Sequence, residues 1–119
     1  MTTDTQPAKP AYTQQIVRPF ADGDYTFKLT YALAVEWERE HDRSLFATAR
    51  AAANGHWSGN DVREILRLAL IGGGTEPPKA LRLVRTYVED RPLTENVDLF
   101  VETLNAFLFG VPVEADAKH

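Results

Sequence analysis

The chain contains no cysteine, and this absence excludes several classes of chemistry at once. Without thiols there is no disulfide framework, no cysteine nucleophile and no zinc site built on cysteine ligands. Long apolar runs are also missing, since no stretch approaches the ~20 residues that a membrane-spanning helix needs. The N-terminal sequence MTTDTQPAKPAYTQQ has neither the basic start nor the apolar centre of a secretion signal. We therefore expect a cytoplasmic protein that does not enter a membrane.

An excess of basic side chains is absent as well. The sequence has 13 Lys and Arg against 17 Asp and Glu, for a formal net charge of -4. This balance gives no general attraction to nucleic acid or to an anionic membrane, so neither is expected as a partner. The 119 residues, 44% of them hydrophobic, fit one globular domain with a single core.

The N-terminal third of the chain predicts an arm followed by a β-hairpin. Residues 1–14 are rich in Thr, Gln and Pro, which indicates a disordered arm. Apolar and polar side chains then alternate in two short segments, the pattern of strands with one buried face. Asp22-Gly23-Asp24 lies between them and predicts the turn, because glycine tolerates a positive φ. Pro19 has no N–H to donate, so the first strand is expected at a sheet edge, where a neighbouring copy can pair with it.

About five helices are predicted after the hairpin from apolar periodicity and capping residues. The expected start signals are Thr30, Ser44, Asn60 or Asp61, Thr75, and Arg91 or Thr94. The apolar face of the first helix is expected to comprise Tyr31, Leu33, Ala34 and Trp37. Gly72-Gly73-Gly74 ends the third helix and Gly110 ends the last one. The predicted fold class is α+β, with a hairpin packed on a mostly helical single domain over residues 15–110 and a flexible tail over 111–119.

No pattern of residues predicts catalysis, a cofactor or a metal. The three histidines lack the local pairing that zinc sites use. Glu36, Glu38 and Glu40 lie on two sides of one predicted helix, which is typical of a solvated face. The triple glycine is followed by Thr75-Glu76 and not by the Lys-Ser/Thr pair of a phosphate-binding loop. We therefore expect a protein that is not an enzyme.

Two interpretations of the helical region involve binding. The helix–glycine turn–helix pattern over residues 61–90 is compatible with a helix-turn-helix DNA reader, although the net acidity and the prolines at the second helix oppose it. The other interpretation is protein binding. It would use apolar side chains that lie outside the single buried stripe of a helix or in apparent loops. The candidate partner-binding residues are Phe46, Trp57, Leu68, Leu70, Ile71, Leu83 and Phe109.

Several blocks of the sequence, in their order, carry a family resemblance. They are PFADGDYTFKL, RSLFATARAAANGHW, DVREILRLALIGGG, ALRLVRTYV and RPLTENVDLFVETLNAFLFG. From about Phe20 to Gly110 the chain resembles the gene-transfer-agent family of small, phage-derived tail proteins. Members of that family are similar to tail assembly chaperones of long-tailed phages, although some descriptions call them tail tube proteins.

The resemblance implies a function in tail assembly within a bacterial host cell. A tail assembly chaperone binds the tape measure protein before tube subunits polymerise around it, so the expected partners are the tape measure protein and the tail tube protein, with a homo-oligomer as a further possibility. The alternatives are a structural tube component and the DNA-binding regulator. Because tube proteins are usually β-rich, a helix content above half would favour the chaperone.

Overall fold

The computed structural model describes residues 11–113. The strands are β1 (Tyr12–Thr13), β2 (Gln15–Phe20), β3 (Gly23–Lys28) and β4 (Val111–Pro112). The helices are α1 (Tyr31–His41), α2 (Leu45–Ala53), α3 (Gly59–Gly72), α4 (Pro77–Val84) and α5 (Val97–Phe109). A π-helical turn over Arg85–Glu89 continues α4, and a 3-10 turn over Leu93–Asn96 leads into α5. This arrangement confirms the predicted α+β class with a hairpin and a mostly helical remainder.

The hairpin pairs β2 with β3 in antiparallel register, from Gln15 opposite Lys28 to Phe20 opposite Gly23. Its inner face buries Ile16, Phe20 and Phe27 against the helices. The predicted position of the turn is wrong. Because Phe20 pairs with Gly23, the loop consists of Ala21 and Asp22, and the positive φ of 56° falls on Ala21.

Hydroxyl side chains begin the first three helices. Thr30 Oγ1 accepts a hydrogen bond from Leu33 N–H at 3.2 Å, and Ser44 Oγ accepts one from Ala47 N–H at 2.9 Å, as predicted. The expected start of α3 at Asn60 or Asp61 is wrong by one to two positions, because Ser58 is the capping residue.

The later helix starts also differ from the prediction. Glu76, not Thr75, precedes α4 and makes no side-chain cap, while the prolines occupy the first turn as expected. The last α-helix begins at Val97, since the 3-10 turn takes up the residues around Thr94.

Helix α3 lies at the centre of the fold and contacts β3, α4 and α5. Its buried side chains are Asp61, Val62, Ile65, Leu66, Ala69 and Leu70. At its C-terminal end the glycines approach the β3 backbone closely. A Cβ atom at Gly72 would lie 1.9 Å from the Lys28 carbonyl oxygen, and one at Gly73 would lie 2.0 Å from that of Thr26. The triple glycine therefore ends the helix and also permits the packing of α3 on the hairpin.

The first helix contacts the core through Ala34 and Trp37, which are almost fully buried. Tyr31 was expected on the same face, but this is wrong, since the side chain is 77% exposed. It is the first residue of α1, and the helix meets the core only from its second turn onward.

The two ends of the described chain lie side by side. Tyr12 pairs with Pro112 and Thr13 with Val111, and Val113 N–H donates to the Ala11 carbonyl oxygen at 3.0 Å. Residues 1–10 of the predicted disordered arm lie outside the residues that the structure describes. The same is true of residues 114–119 of the predicted flexible tail.

Candidate assembly surface

Two phenylalanines form an exposed pair where α2 and α5 meet. Phe46 lies in the first turn of α2 and is 48% exposed, and Phe109 ends α5 and is 65% exposed. Their ring centroids are 6.3 Å apart with an interplanar angle of 71°, an edge-to-face contact. The Arg50 guanidinium lies 5.9 Å from the Phe46 ring centroid. The two aromatic side chains thus contact one another and a cation while remaining open to a partner.

Tyr12 extends this apolar surface. Gly110 follows Phe109 with a φ of 77°, and a Cβ atom there would lie 3.2 Å from the Tyr12 ring. Tyr12 is 59% exposed and lines, together with Phe109, a groove of about 480 Å³ beside β1. Gln14 Nε2 donates to the Phe107 carbonyl oxygen at 3.1 Å and fixes the strand against α5. We call Tyr12, Phe46 and Phe109 the aromatic patch.

The two phenylalanines of this patch are among the residues predicted from the sequence, whereas Tyr12 is not. The tyrosine falls in a Thr-, Gln- and Pro-rich segment without apolar periodicity, so nothing local marked it as ordered. What orders Tyr12 is its pairing with Pro112, a contact between residues far apart in the chain.

The other candidate residues are buried to different extents. Leu70 and Leu83, at 0% and 7% exposure, belong to the monomer core, so their interpretation as surplus to the core is wrong. For Leu70 the reason is that α3 is covered by β3, α4 and α5, so a single apolar stripe does not describe its buried surface. Leu68, Ile71 and Trp57 are half-buried and pack against the core. Of the predicted candidates, the two exposed ones are Phe46 and Phe109.

A half-buried ion pair joins the loop between α1 and α2 to the first turn of α3. Arg43 donates to both carboxylate oxygens of Asp61 at 3.0 and 2.7 Å, and the Asp61 side chain is only 6% exposed. The hydrogen bond from Arg43 to Asp61 raises the Arg43 pKa. The guanidinium also lies 5.0 Å from the Trp37 ring centroid. Asp61 was expected to cap α3, but its carboxylate instead ties the α1–α2 loop to that helix.

The ionisable groups of this region serve packing. His41 stacks on Trp37 with ring centroids 4.4 Å apart, and its Nδ1 lies 2.9 Å from the Trp37 carbonyl oxygen. Glu38 accepts a hydrogen bond from Leu45 N–H at 2.8 Å and so supports the start of α2. Within residues 11–113 no group of three His, Asp or Glu side chains is placed to hold a metal ion. In the same range no helix has the length and apolar character needed to cross a bilayer.

Comparison with known proteins identifies a family that the chain matches. Residues 14–110 match the sequence profile of a family described as "Phage tail tube protein, GTA-gp10". No curated protein and no solved structure matches the chain. The expected resemblance to a gene-transfer-agent tail family is confirmed. The expected chaperone function is wrong, because the matching family is described as a tube protein, and the tape measure protein has no support as a partner.

Proposed function

Because the chain belongs to the phage tail tube protein family over residues 14–110, we propose that it is a structural subunit of a phage-type tail tube. A tube is built from many copies of its subunit, and each copy must offer surfaces that its neighbours cover. Such a subunit acts by assembly and not by catalysis. The partner proposed here is therefore another copy of the same chain.

The aromatic patch is the observation in the coordinates that supports this proposal. Exposed aromatic side chains together with arginine are enriched where protein interfaces gain most of their binding free energy. The patch combines Tyr12, Phe46 and Phe109 with Arg50, and these side chains are not enclosed within the monomer. Covering them with a neighbouring subunit would remove apolar area from water, which stabilises association by roughly 25 cal/mol per Å² before the entropic cost of docking.

The proposal is tested on particles. Tails are purified from cells that produce them, and the copy number of this chain per tail is measured by quantitative mass spectrometry. A tube subunit is expected in many copies, in proportion to tail length when long and short tails are compared. Finished tails that lack the chain, or contain a few copies whatever their length, would contradict the proposal.

A matched pair of variants tests whether the aromatic patch is needed for tail assembly. Phe46→Ser combined with Phe109→Ser removes the exposed ring pair, and we expect few or no complete tails from cells that carry it. Tyr31→Ser removes an aromatic side chain that is even more exposed, at 77%, but lies outside the patch. Tail yield with Tyr31→Ser is expected to equal that of the wild type.

A further inference from the structure

Helix α4 and the first residue of the π-helical turn that continues it present a basic face, called here the basic face of α4, in a protein that is acidic overall. Lys79, Arg82 and Arg85 are spaced three residues apart and are all exposed. Neither Arg82 nor Arg85 forms an ion pair with any residue in the range 11–113. Lys79 lies 5.4 Å from the ring centroid of Tyr25. Like charges at this spacing on a helix repel one another, so the basic face is locally unfavourable in the isolated subunit.

Helix α1 presents the opposite sign. Glu36 and Glu40 are exposed and four residues apart, a spacing at which like charges again repel. The pKa of Arg67 is raised chiefly by its hydrogen bonds of 3.2 and 2.8 Å to Glu64, and the charge of the Glu40 carboxylate adds to this effect. The Arg67 guanidinium is thus already bound by Glu64. Neither Glu36 nor Glu40 forms an ion pair with any residue in the range 11–113. The acidic face is thus incompletely neutralised within the subunit.

We propose that the acidic face of α1 in one copy docks against the basic face of α4 in the next copy. This inference rests on the proposed function, since it supplies a contact between tube subunits. The two faces belong to different helices, and in a tube the contact is repeated head-to-tail from copy to copy, the kind of contact that generates rings or open filaments. Pairing Glu36 and Glu40 with Arg82 and Arg85 relieves the repulsion on both helices at once. Because exposed charges are screened within ~8 Å at physiological ionic strength, the contact weakens with salt.

Charge reversal with mixing tests this pairing directly. The first variant carries Arg82→Glu and Arg85→Glu, and the second carries Glu36→Lys and Glu40→Lys. Each alone brings like charges together, so we expect its self-association, measured by sedimentation velocity at low salt, to weaken at least about tenfold, or ~1.4 kcal/mol. An equimolar mixture restores opposite charges at every contact, and association is expected to return.

Controls separate this contact from general charge effects. Asp90→Lys combined with Asp98→Lys makes the same change in net charge as Glu36→Lys with Glu40→Lys, at exposed positions outside α1 and α4, and we expect it to associate like the wild type. Circular dichroism is used to check that each variant folds. Where a reversal variant does not fold, Arg82→Gln with Arg85→Gln replaces it, and association of that variant at wild-type strength would overturn the inference.

Three further results would overturn the proposal. One is a mixture that associates no better than either variant alone, while association through the aromatic patch persists; this leaves the tube function standing. The second is undiminished self-association of the Arg82→Glu, Arg85→Glu variant. The third is a variant that no longer binds duplex DNA in a low-salt gel shift but still associates with itself. That result would assign the basic face to DNA binding. Absence of the chain from tails is a separate result and bears on the proposed function.

Discussion

At the scale of single residues, the left-handed backbone at Ala21 is a local source of strain. A φ of 56° places the Ala21 Cβ close to backbone atoms, at a cost of ~1–2 kcal/mol for a residue with a side chain. Ala21→Gly removes this cost but loses ~0.4–1 kcal/mol through the greater entropy of the unfolded chain. We expect a net stabilisation of ~0.5–1 kcal/mol, measured by urea denaturation. The same change at exposed Ala47 inside α2 is the control and should destabilise by up to ~1 kcal/mol.

Glu64 is expected to make stability depend on pH in the acid range. Burial raises the pKa of this carboxyl group, but hydrogen bonds and charge from Arg67 and Arg63 outweigh burial and lower it from 4.5. A group whose pKa is lowered in the folded state contributes stability above its unfolded pKa, and that contribution is lost as pH falls through the folded value. The free energy of unfolding should therefore fall below about pH 4.5. Glu64→Gln should be less stable than the wild type at pH 7, with a difference that narrows as the pH is lowered. A difference independent of pH would contradict this assignment.

At the scale of elements, the contact between α3 and β3 depends on two glycines. Gly72→Ala places a methyl group where the Lys28 carbonyl oxygen lies, and the backbone must move to admit it. Overpacking of this kind costs ~1–3 kcal/mol, whereas alanine inside a helix normally gains up to ~1 kcal/mol over glycine. We expect a lower melting temperature for Gly72→Ala. Gly23→Ala, which meets no atom within 4 Å, is the comparison and should have little effect.

Local signals predicted most elements of this fold. Thr30 and Ser44 were recognised as helix caps because capping depends on residues three positions apart. The turn at Ala21 and the exposure of Tyr31 were not predicted, since strand register and the distance of a helix from the core are set by tertiary packing. The same reason explains the Arg43–Asp61 pair, whose partners are separated by 18 residues in the sequence.

Only part of the aromatic patch was predicted from the sequence, because burial of a side chain also depends on tertiary packing. Phe46 and Phe109 appeared as apolar side chains at helix ends, but sequence alone did not separate them from Leu70 and Leu83, which the core encloses. Burial of α3 on several sides can be recognised only when the neighbouring elements are in place.

At the scale of the whole molecule, helix content proved a poor guide to function. Helices make up more than half of the described residues, and this was expected to favour a chaperone over a tube subunit. The family match contradicts that criterion. Secondary structure describes how a subunit encloses its own core, whereas assembly depends on the side chains that remain at the surface. For this chain those side chains include the aromatic patch and the charged faces of α1 and α4.

The proposed assembly requires that the aromatic patch mediate contact between copies, and this contact can be measured directly. Sedimentation velocity is measured over a concentration series for the wild type, for Phe46→Ser with Phe109→Ser, and for Tyr31→Ser. We expect the wild type and Tyr31→Ser to associate as concentration rises, and the double variant to associate at least about tenfold more weakly, because the covered apolar area is lost. A wild type that stays monomeric throughout, or a folded double variant that associates as strongly as the wild type, would contradict the account.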